Sequence, residues 1–161
     1  MLKPAVAFGA ALAMIAFNFS DPAAAAAFQC PPTARDSEGP FYKPGAPERS
    51  SVGKGYLLGG AVRSAVDCSP IPDARIEFWL AGPDAAYDDR YRATVFPDPS
   101  GDYRFESHFP PGYGSRPPHI HIRVTAGGYQ PLITQHYPEE GKSQRNFDLV
   151  LIPEGVSEPA A

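Results

Sequence analysis

Residues 110–124 read PPGYGSRPPHIHIRV, and the end of this stretch decides the fold class. His119 and His121 alternate with isoleucines, a pattern typical of a β-strand with one buried face. Side chains repeat every two residues along a strand, so both histidines leave the same face, roughly 7 Å apart along the chain. The stretch therefore predicts a strand that presents two imidazoles to one side.

Two imidazoles on one strand face can bind a single metal ion, because imidazole is the commonest protein metal ligand near neutral pH. Pro117 and Pro118 donate no backbone hydrogen bond, so the strand should begin abruptly after them. Arg116 is then expected at the lip of the pocket, and Tyr113 offers an oxygen ligand. The alternative is that the two histidines are solvated polar residues on an exposed strand.

The composition indicates one folded domain that does not bind nucleic acid. The chain has 161 residues with 20 Pro, 15 Gly, 10 Phe and 8 Tyr, which favours many turns around short apolar strands. The aromatic content argues against disorder. The net charge is −4, and no run of Lys or Arg could follow a phosphate backbone.

Residues 1–27 have the three parts of a secretory signal peptide. Lys3 supplies a positive start, residues 5–17 are apolar, and residues 23–27 are small enough for cleavage. The apolar run is short for a membrane span, so we expect export to the periplasm or the extracellular space without stable membrane association. The alternative is an uncleaved anchor.

Cys30 and Cys68 are the two cysteines of the chain. In an oxidising compartment they are expected to form a disulfide that ties the N-terminal arm to the first hairpin. Two free thiols, or two soft metal ligands, are the alternatives.

The remaining chain divides into an irregular arm at 28–54, a core at 55–153 and a polar tail at 154–161. Residues 82–91 are expected to form a loop. Alternating or apolar runs between turn signals predict strands at 56–62, 74–80, 92–96, 102–109, 119–125, 132–135 and 146–152. No helical stripe is present, so the fold class is all-β, a β-sandwich or barrel.

In the strand at 74–80, alternation divides the side chains between two faces. Ile76, Phe78 and Leu80 share one face. Trp79 lies on the other face and is expected to be a packing residue.

Five motifs together resemble the intradiol ring-cleavage dioxygenases, the family of protocatechuate 3,4- and catechol 1,2-dioxygenases. They are EGPFYKPGAPER at 38–49, CSPIPDARIEFWLA at 68–81, PGY at 111–113, RPPHIH at 116–121 and LITQHY at 132–137. The resemblance implies a β-sandwich of the intradiol type and covers most of the chain after residue 27.

The resemblance also implies a mononuclear non-haem Fe(III) held by two tyrosines and two histidines. Carried over to this sequence, these are Tyr87, Tyr113, His119 and His121. Tyr87 matches by its spacing after Trp79, and Tyr113 matches by the PGY motif. Phenolate and imidazole donors suit a hard ferric ion better than a soft metal.

Four further residues match catalytic or substrate-binding positions of the family. Arg116 corresponds to an arginine that stabilises negative charge on the substrate ring, and Gln135 to a glutamine close to the iron. Pro40 and Tyr42 fall where the arm borders the substrate pocket. The implied reaction cleaves a catechol with O2 to a cis,cis-muconate, so the expected partners are a small aromatic diol and O2.

The chain departs from the family pattern in three places. Ala85 stands where family members commonly carry glycine, so the loop before Tyr87 is expected to bend differently. The stretch 87–113 is short, and the helical dimerisation region of catechol-type members is missing. The particular catechol and the oligomeric state are therefore left open.

Two other functions are compatible with the same residues. One is a non-catalytic secreted β-sandwich that binds a metal or ligand. The other is a hydrolytic zinc site, which would need a third ligand and an open water position. No Asp, Glu or Cys stands beside the two histidines to supply that third ligand.

Overall fold

The structure, a computed structural model, describes residues 28–157. The predicted signal peptide and the end of the polar tail lie outside this range. Eight strands follow one another: β1 (Tyr56–Ser64), β2 (Arg75–Ala81), β3 (Tyr87–Val95), β4 (Asp102–Ser107), β5 (Ile120–Thr125), β6 (Leu132–His136), β7 (Gln144–Asn146) and β8 (Leu149–Leu151). The described residues contain no helix that is long and apolar enough to cross a membrane.

The strands form two sheets that pack face to face. One sheet has the order β4-β1-β7, with β8 also paired to β1, and the other has the order β3-β2-β5-β6. Phe78 of β2 stacks on Phe105 of β4 across the interface, with ring centroids 4.2 Å apart. The predicted all-β sandwich is therefore confirmed.

In the sheet β3-β2-β5-β6, the face of β2 that points away from the core is also buried, because the arm covers it. Glu77 and Trp79 are only 6% and 2% exposed, although they point away from the core. The Tyr42 hydroxyl donates to Glu77 Oε2 at 3.1 Å, and the Tyr42 ring lies 5.1 Å from the Trp79 ring. Trp79 is thus a packing residue, as its position on the strand predicts.

The arm runs along strand edges of both sheets. Asp36 donates its backbone N–H to Ile133 of β6, while residues 47–52 exchange backbone hydrogen bonds with Thr94 of β3 and Glu106 of β4. These contacts cover backbone groups that an open edge would leave unpaired. Cys30 and Cys68 form the predicted disulfide, with Cα atoms 5.4 Å apart.

Two strand predictions were wrong. Residues 87–91 were expected to belong to a loop at 82–91, but they continue the β2–β3 hairpin. Residues 146–152 were expected to form one strand, yet they divide between β7 and β8. The break falls at Phe147, whose carbonyl passes so close to Gly60 that a Cβ there would collide with it.

Candidate functional site

Four side chains bring their donor atoms to one point. The Tyr87 hydroxyl oxygen lies 3.1 Å from Nε2 of His119 and 3.1 Å from Nε2 of His121. It lies 3.3 Å from the Tyr113 hydroxyl, and the two Nε2 atoms are 3.2 Å apart. These are the four residues that the family resemblance predicts as metal ligands.

Three separate segments supply these side chains. His119 precedes β5 and His121 is its second residue, so alternation along the strand puts both rings on one face. Tyr87 is the first residue of β3. Tyr113 is fixed in the loop before β5, where its carbonyl accepts from the backbone N–H of Arg116 at 2.9 Å.

The surroundings of both histidines disfavour the charged imidazolium, which cannot bind a metal. His119 Nδ1 lies 2.7 Å from the Pro117 carbonyl, which can only accept, so Nδ1 carries the proton and Nε2 is free. Burial, together with His119 and Arg116, lowers the pKa of His121 to about 4. Burial also lowers the pKa of His119.

Tyr87 is half-buried in a setting that disfavours its phenolate form. Burial and the hydrogen bond with Tyr113 raise the pKa of Tyr87 above its ordinary value. Two phenolates at 3.3 Å would repel each other strongly in this setting. A bound cation reverses the effect, because it lowers the pKa of any acid that it coordinates.

The donor set fits a mononuclear ferric ion. Ligands bound to one ion at about 2 Å stand about 3 Å apart, which matches the observed separations. Both cysteines are in the disulfide, so no thiolate competes. Within residues 28–157 no three His, Cys, Asp or Glu side chains gather around one point, so phenol oxygens complete the set.

Arg116 and Gln135 lie side by side next to the four donors. Arg116 Nη2 donates to Gln135 Oε1 at 2.6 Å. Gln135 is paired with His121 in the β5–β6 register, which keeps the amide beside the imidazole. The two residues for which the resemblance implies a catalytic role are therefore in direct contact.

The arm contributes two residues to the site that were not predicted from the sequence. Phe41 stacks on Tyr87 with ring centroids 4.2 Å apart, and 44% of it is exposed. Gly39 adopts φ +71°, and a Cβ there would lie 3.0 Å from His121 Cε1. No periodicity marks either residue, although both lie in the motif that carries the resemblance.

The two arm residues selected from the sequence have different surroundings. Pro40 is exposed between Gly39 and Phe41. Tyr42 points toward Glu77, and Arg123 lies over its ring at 4.9 Å from the centroid. A substrate contact for Pro40 and Tyr42 stays a prediction.

Ala85 shapes the turn that leads into Tyr87. Its φ of +59° lies in the left-handed region, which glycine adopts without a steric penalty. Its backbone N–H donates to the Gly82 carbonyl at 2.8 Å. The turn therefore takes the conformation that a glycine favours, although an alanine occupies the position.

Comparison with known proteins identifies relatives of this core. Chlorocatechol 1,2-dioxygenase of Pseudomonas putida is 31% identical over 139 residues, which cover 65% of this chain and 53% of the relative. Hydroxyquinol 1,2-dioxygenase of Nocardioides simplex is 33% identical over 147 residues, which cover 70% of this chain and 49% of the relative. The chain spans about half the length of the curated relatives it matches. No family model matches the chain.

Solved structures share the fold. The dioxygenase domain of a dioxygenase carbohydrate-binding protein fusion from Streptomyces sp. SirexAA-E superposes with a TM-score of 0.69 at 27% identity, over 76% of this chain and 99% of that domain. Chlorocatechol 1,2-dioxygenase from Pseudomonas putida superposes with a TM-score of 0.66 at 23% identity, over 74% of this chain and 72% of that structure.

Fold and site together define a class, a β-sandwich with a cluster of two phenols and two imidazoles. The comparisons add which known proteins this core is similar to. Over its core the chain is similar to chlorocatechol and catechol 1,2-dioxygenases, which are intradiol ring-cleavage dioxygenases.

Proposed function

We propose that the protein is a non-haem Fe(III) intradiol dioxygenase. It would cleave the ring of a catechol-type substrate between the two hydroxyl-bearing carbons, adding both atoms of O2 to give a cis,cis-muconate-type dicarboxylate. The observation that carries this proposal is the convergence of four phenol and imidazole donors at 3.1–3.3 Å. The catechol, chlorocatechol and hydroxyquinol dioxygenases among the relatives support the reaction class.

The match to the Streptomyces domain supports assigning the activity to this core. That dioxygenase domain is covered over 99% of its length, whereas the curated relatives are covered over about half. The superposed 76% of this chain therefore corresponds to a domain that carries a dioxygenase name by itself.

The iron would be held by the four donor side chains, those of Tyr87, Tyr113, His119 and His121. When bound, Fe(III) withdraws electron density from a coordinated catecholate and so makes the ring reactive toward O2. Neutral imidazoles and ionisable phenols favour the ferric state, because the two phenolates compensate its charge.

Arg116 and Phe41 would act on the substrate. The Arg116 guanidinium, held by Gln135 at 2.6 Å, offsets negative charge that develops on the ring without transferring a proton. Phe41 presents an exposed aromatic face beside Tyr87, on which a substrate ring can pack.

The test is the visible spectrum and O2 uptake of the protein loaded with iron. Phenolate-to-Fe(III) charge transfer should colour it red-brown, the colour should shift when catechol is added, and uptake of O2 should be stoichiometric with catechol. Tyr87→Phe and His121→Ala should lose the colour. Tyr129→Phe, which removes a phenol oxygen far from the site, should keep it.

A folded protein that stays colourless and takes up no O2 would instead indicate a non-catalytic binding module. Full iron content in Tyr87→Phe or His121→Ala would show that the ligand assignment is wrong.

We also propose that the chain is exported. The signal-peptide pattern at 1–27 and the Cys30–Cys68 disulfide both suit an oxidising compartment. N-terminal sequencing of the protein from cell fractions tests this, and an intact N-terminus on cytoplasmic protein would contradict it.

A further inference from the structure

A hydrogen-bonded chain connects the arm to the residues beside the metal donors. The arm runs along β6, where Asp36 donates its backbone N–H to the Ile133 carbonyl at 2.9 Å and Thr134 Oγ1 donates to the Ala34 carbonyl at 2.8 Å. This pairing brings Asp36 and Ser37 to the end of β6, next to Gln135 and Tyr137.

The arm determines which end of the Gln135 amide faces Arg116. Gln135 Nε2 lies 2.7 Å from the Ser37 carbonyl, which can only accept, so the NH2 group must point to the arm. Gln135 Oε1 is therefore turned toward Arg116 and accepts its Nη2–H at 2.6 Å. With the amide reversed, an NH2 group would face the guanidinium, and the bond to Arg116 would be lost.

Tyr137 and Asp36 complete this network of hydrogen bonds on the other side of Gln135. The Tyr137 hydroxyl donates to Asp36 Oδ2 at 2.8 Å and lies 3.1 Å from Gln135 Oε1. Asp36 Oδ1 accepts from the backbone N–H of Ser37 at 2.6 Å and lies 3.4 Å from Gln135 Nε2. The carboxylate thus fixes both the phenol and the segment of arm that orients the amide.

We propose that Asp36 and Tyr137 are positioning residues that hold Gln135, and through it the Arg116 guanidinium, in place over the bound substrate. This inference rests on the proposed function for its kinetic consequence. Neither residue supplies a metal donor, so the two should affect turnover rather than iron binding. A guanidinium that is free to move stabilises the developing charge less well, because electrostatic stabilisation depends on donors fixed in advance.

The kinetic test uses Tyr137→Phe and Asp36→Asn in the protein loaded with iron. Each should lower kcat about tenfold while iron content, colour and KM for catechol stay near those of the wild type. Tyr129→Phe and Asp73→Asn are matched controls outside the chain of bonds and should leave kcat unchanged. In an Arg116→Gln background, Tyr137→Phe should have no further effect, since Tyr137 acts through Arg116.

A second readout does not depend on turnover. In the protein loaded with diamagnetic Ga(III), the side-chain NH2 resonances of Gln135 should exchange slowly with solvent, and Asp36→Asn should speed that exchange. Wild-type kcat in Tyr137→Phe, an equal loss in the Arg116→Gln background, or loss of iron would each overturn the inference. If the wild type takes up no O2, the proposed function fails, while the NMR experiment still decides whether Asp36 orients Gln135.

Discussion

The Trp79 indole lies flat against the His121 imidazole, with ring centroids 4.9 Å apart and planes inclined by 5°. The two residues are direct partners in the β2–β5 register, and His121 is in turn the partner of Gln135 on β6. One row across the sheet therefore contains the packing residue, the metal donor and the amide beside it. Trp79 limits the ring of His121 to the plane in which Nε2 faces the other donors.

Replacing Trp79 should affect iron binding beyond its effect on stability. Trp79→Ala removes the ring that supports His121 and should cost about 3–5 kcal/mol in the free energy of unfolding. Trp79→Phe keeps an aromatic face and also removes an indole N–H that is buried without a partner in the described residues, so it should retain iron.

The control for this prediction is Phe105→Ala, because Phe105 is a buried aromatic of the other sheet. It should lose a similar amount of stability. Titration of the folded variants with iron should show weakened binding in Trp79→Ala only. Equal iron affinity in the two alanine variants would refute a role for the stacked indole.

Ala85→Gly should stabilise the protein. The left-handed φ of Ala85 costs roughly 1–2 kcal/mol, and glycine removes that cost while adding roughly 0.5–1 kcal/mol of chain entropy to the unfolded state. A net gain of up to about 1 kcal/mol is expected in urea unfolding. Ala86→Gly, at the neighbouring exposed residue, should destabilise instead, and a loss in both variants would contradict the strain at Ala85.

Removing the disulfide should destabilise the protein substantially. Cys30 and Cys68 are 38 residues apart, and closing a loop of that length lowers the entropy of the unfolded state, which stabilises the folded state by about 4 kcal/mol at 25 °C. The loss in free energy of unfolding should be the same for Cys30→Ser, Cys68→Ser and the double variant, because each breaks the same bond. Unfolding midpoints equal to that of the wild type would show that the other contacts of the arm suffice.

The sequence was most informative where the pattern was local. Alternation placed His119 and His121 on one face of β5, and the same rule separated Phe78 in the core from Trp79 on the other face. The motif resemblance supplied Tyr87 and Tyr113, which no periodicity marks. Their donor atoms meet only because a hairpin and a loop from different parts of the chain end at the same place.

The contributions of the arm could not be read from the sequence. Asp36, Gly39 and Phe41 lie in a segment without periodicity, and their positions depend on how that segment pairs with the edge of β6 and covers β2. Phe147 is a similar case. The residues around it were expected to form one strand, but the strand is interrupted where the Phe147 carbonyl passes close to Gly60. Long-range backbone contacts decided both outcomes.

His136 is a buried histidine on the same strand as Gln135. It is 6% exposed, and its Nε2 lies 2.7 Å from the hydroxyl of the fully buried Tyr56. Burial, reinforced by the charge of Arg145, lowers the pKa of His136 to about 4. Its charged form is therefore unfavourable in the folded state.

This pKa predicts that stability falls on acidification between about pH 6.5 and pH 4. In that window the unfolded chain, where histidine has its ordinary pKa of about 6.5, binds a proton that folded His136 rejects, so unfolding is favoured as the pH falls. His136→Gln, whose amide can still bond to Tyr56, should reduce the difference between urea unfolding free energies at pH 7 and pH 5 by up to about 2 kcal/mol. Both proteins are compared without metal, where His119 and His121 contribute equally to each. An unchanged difference in His136→Gln would mean that folded His136 accepts a proton at its ordinary pKa.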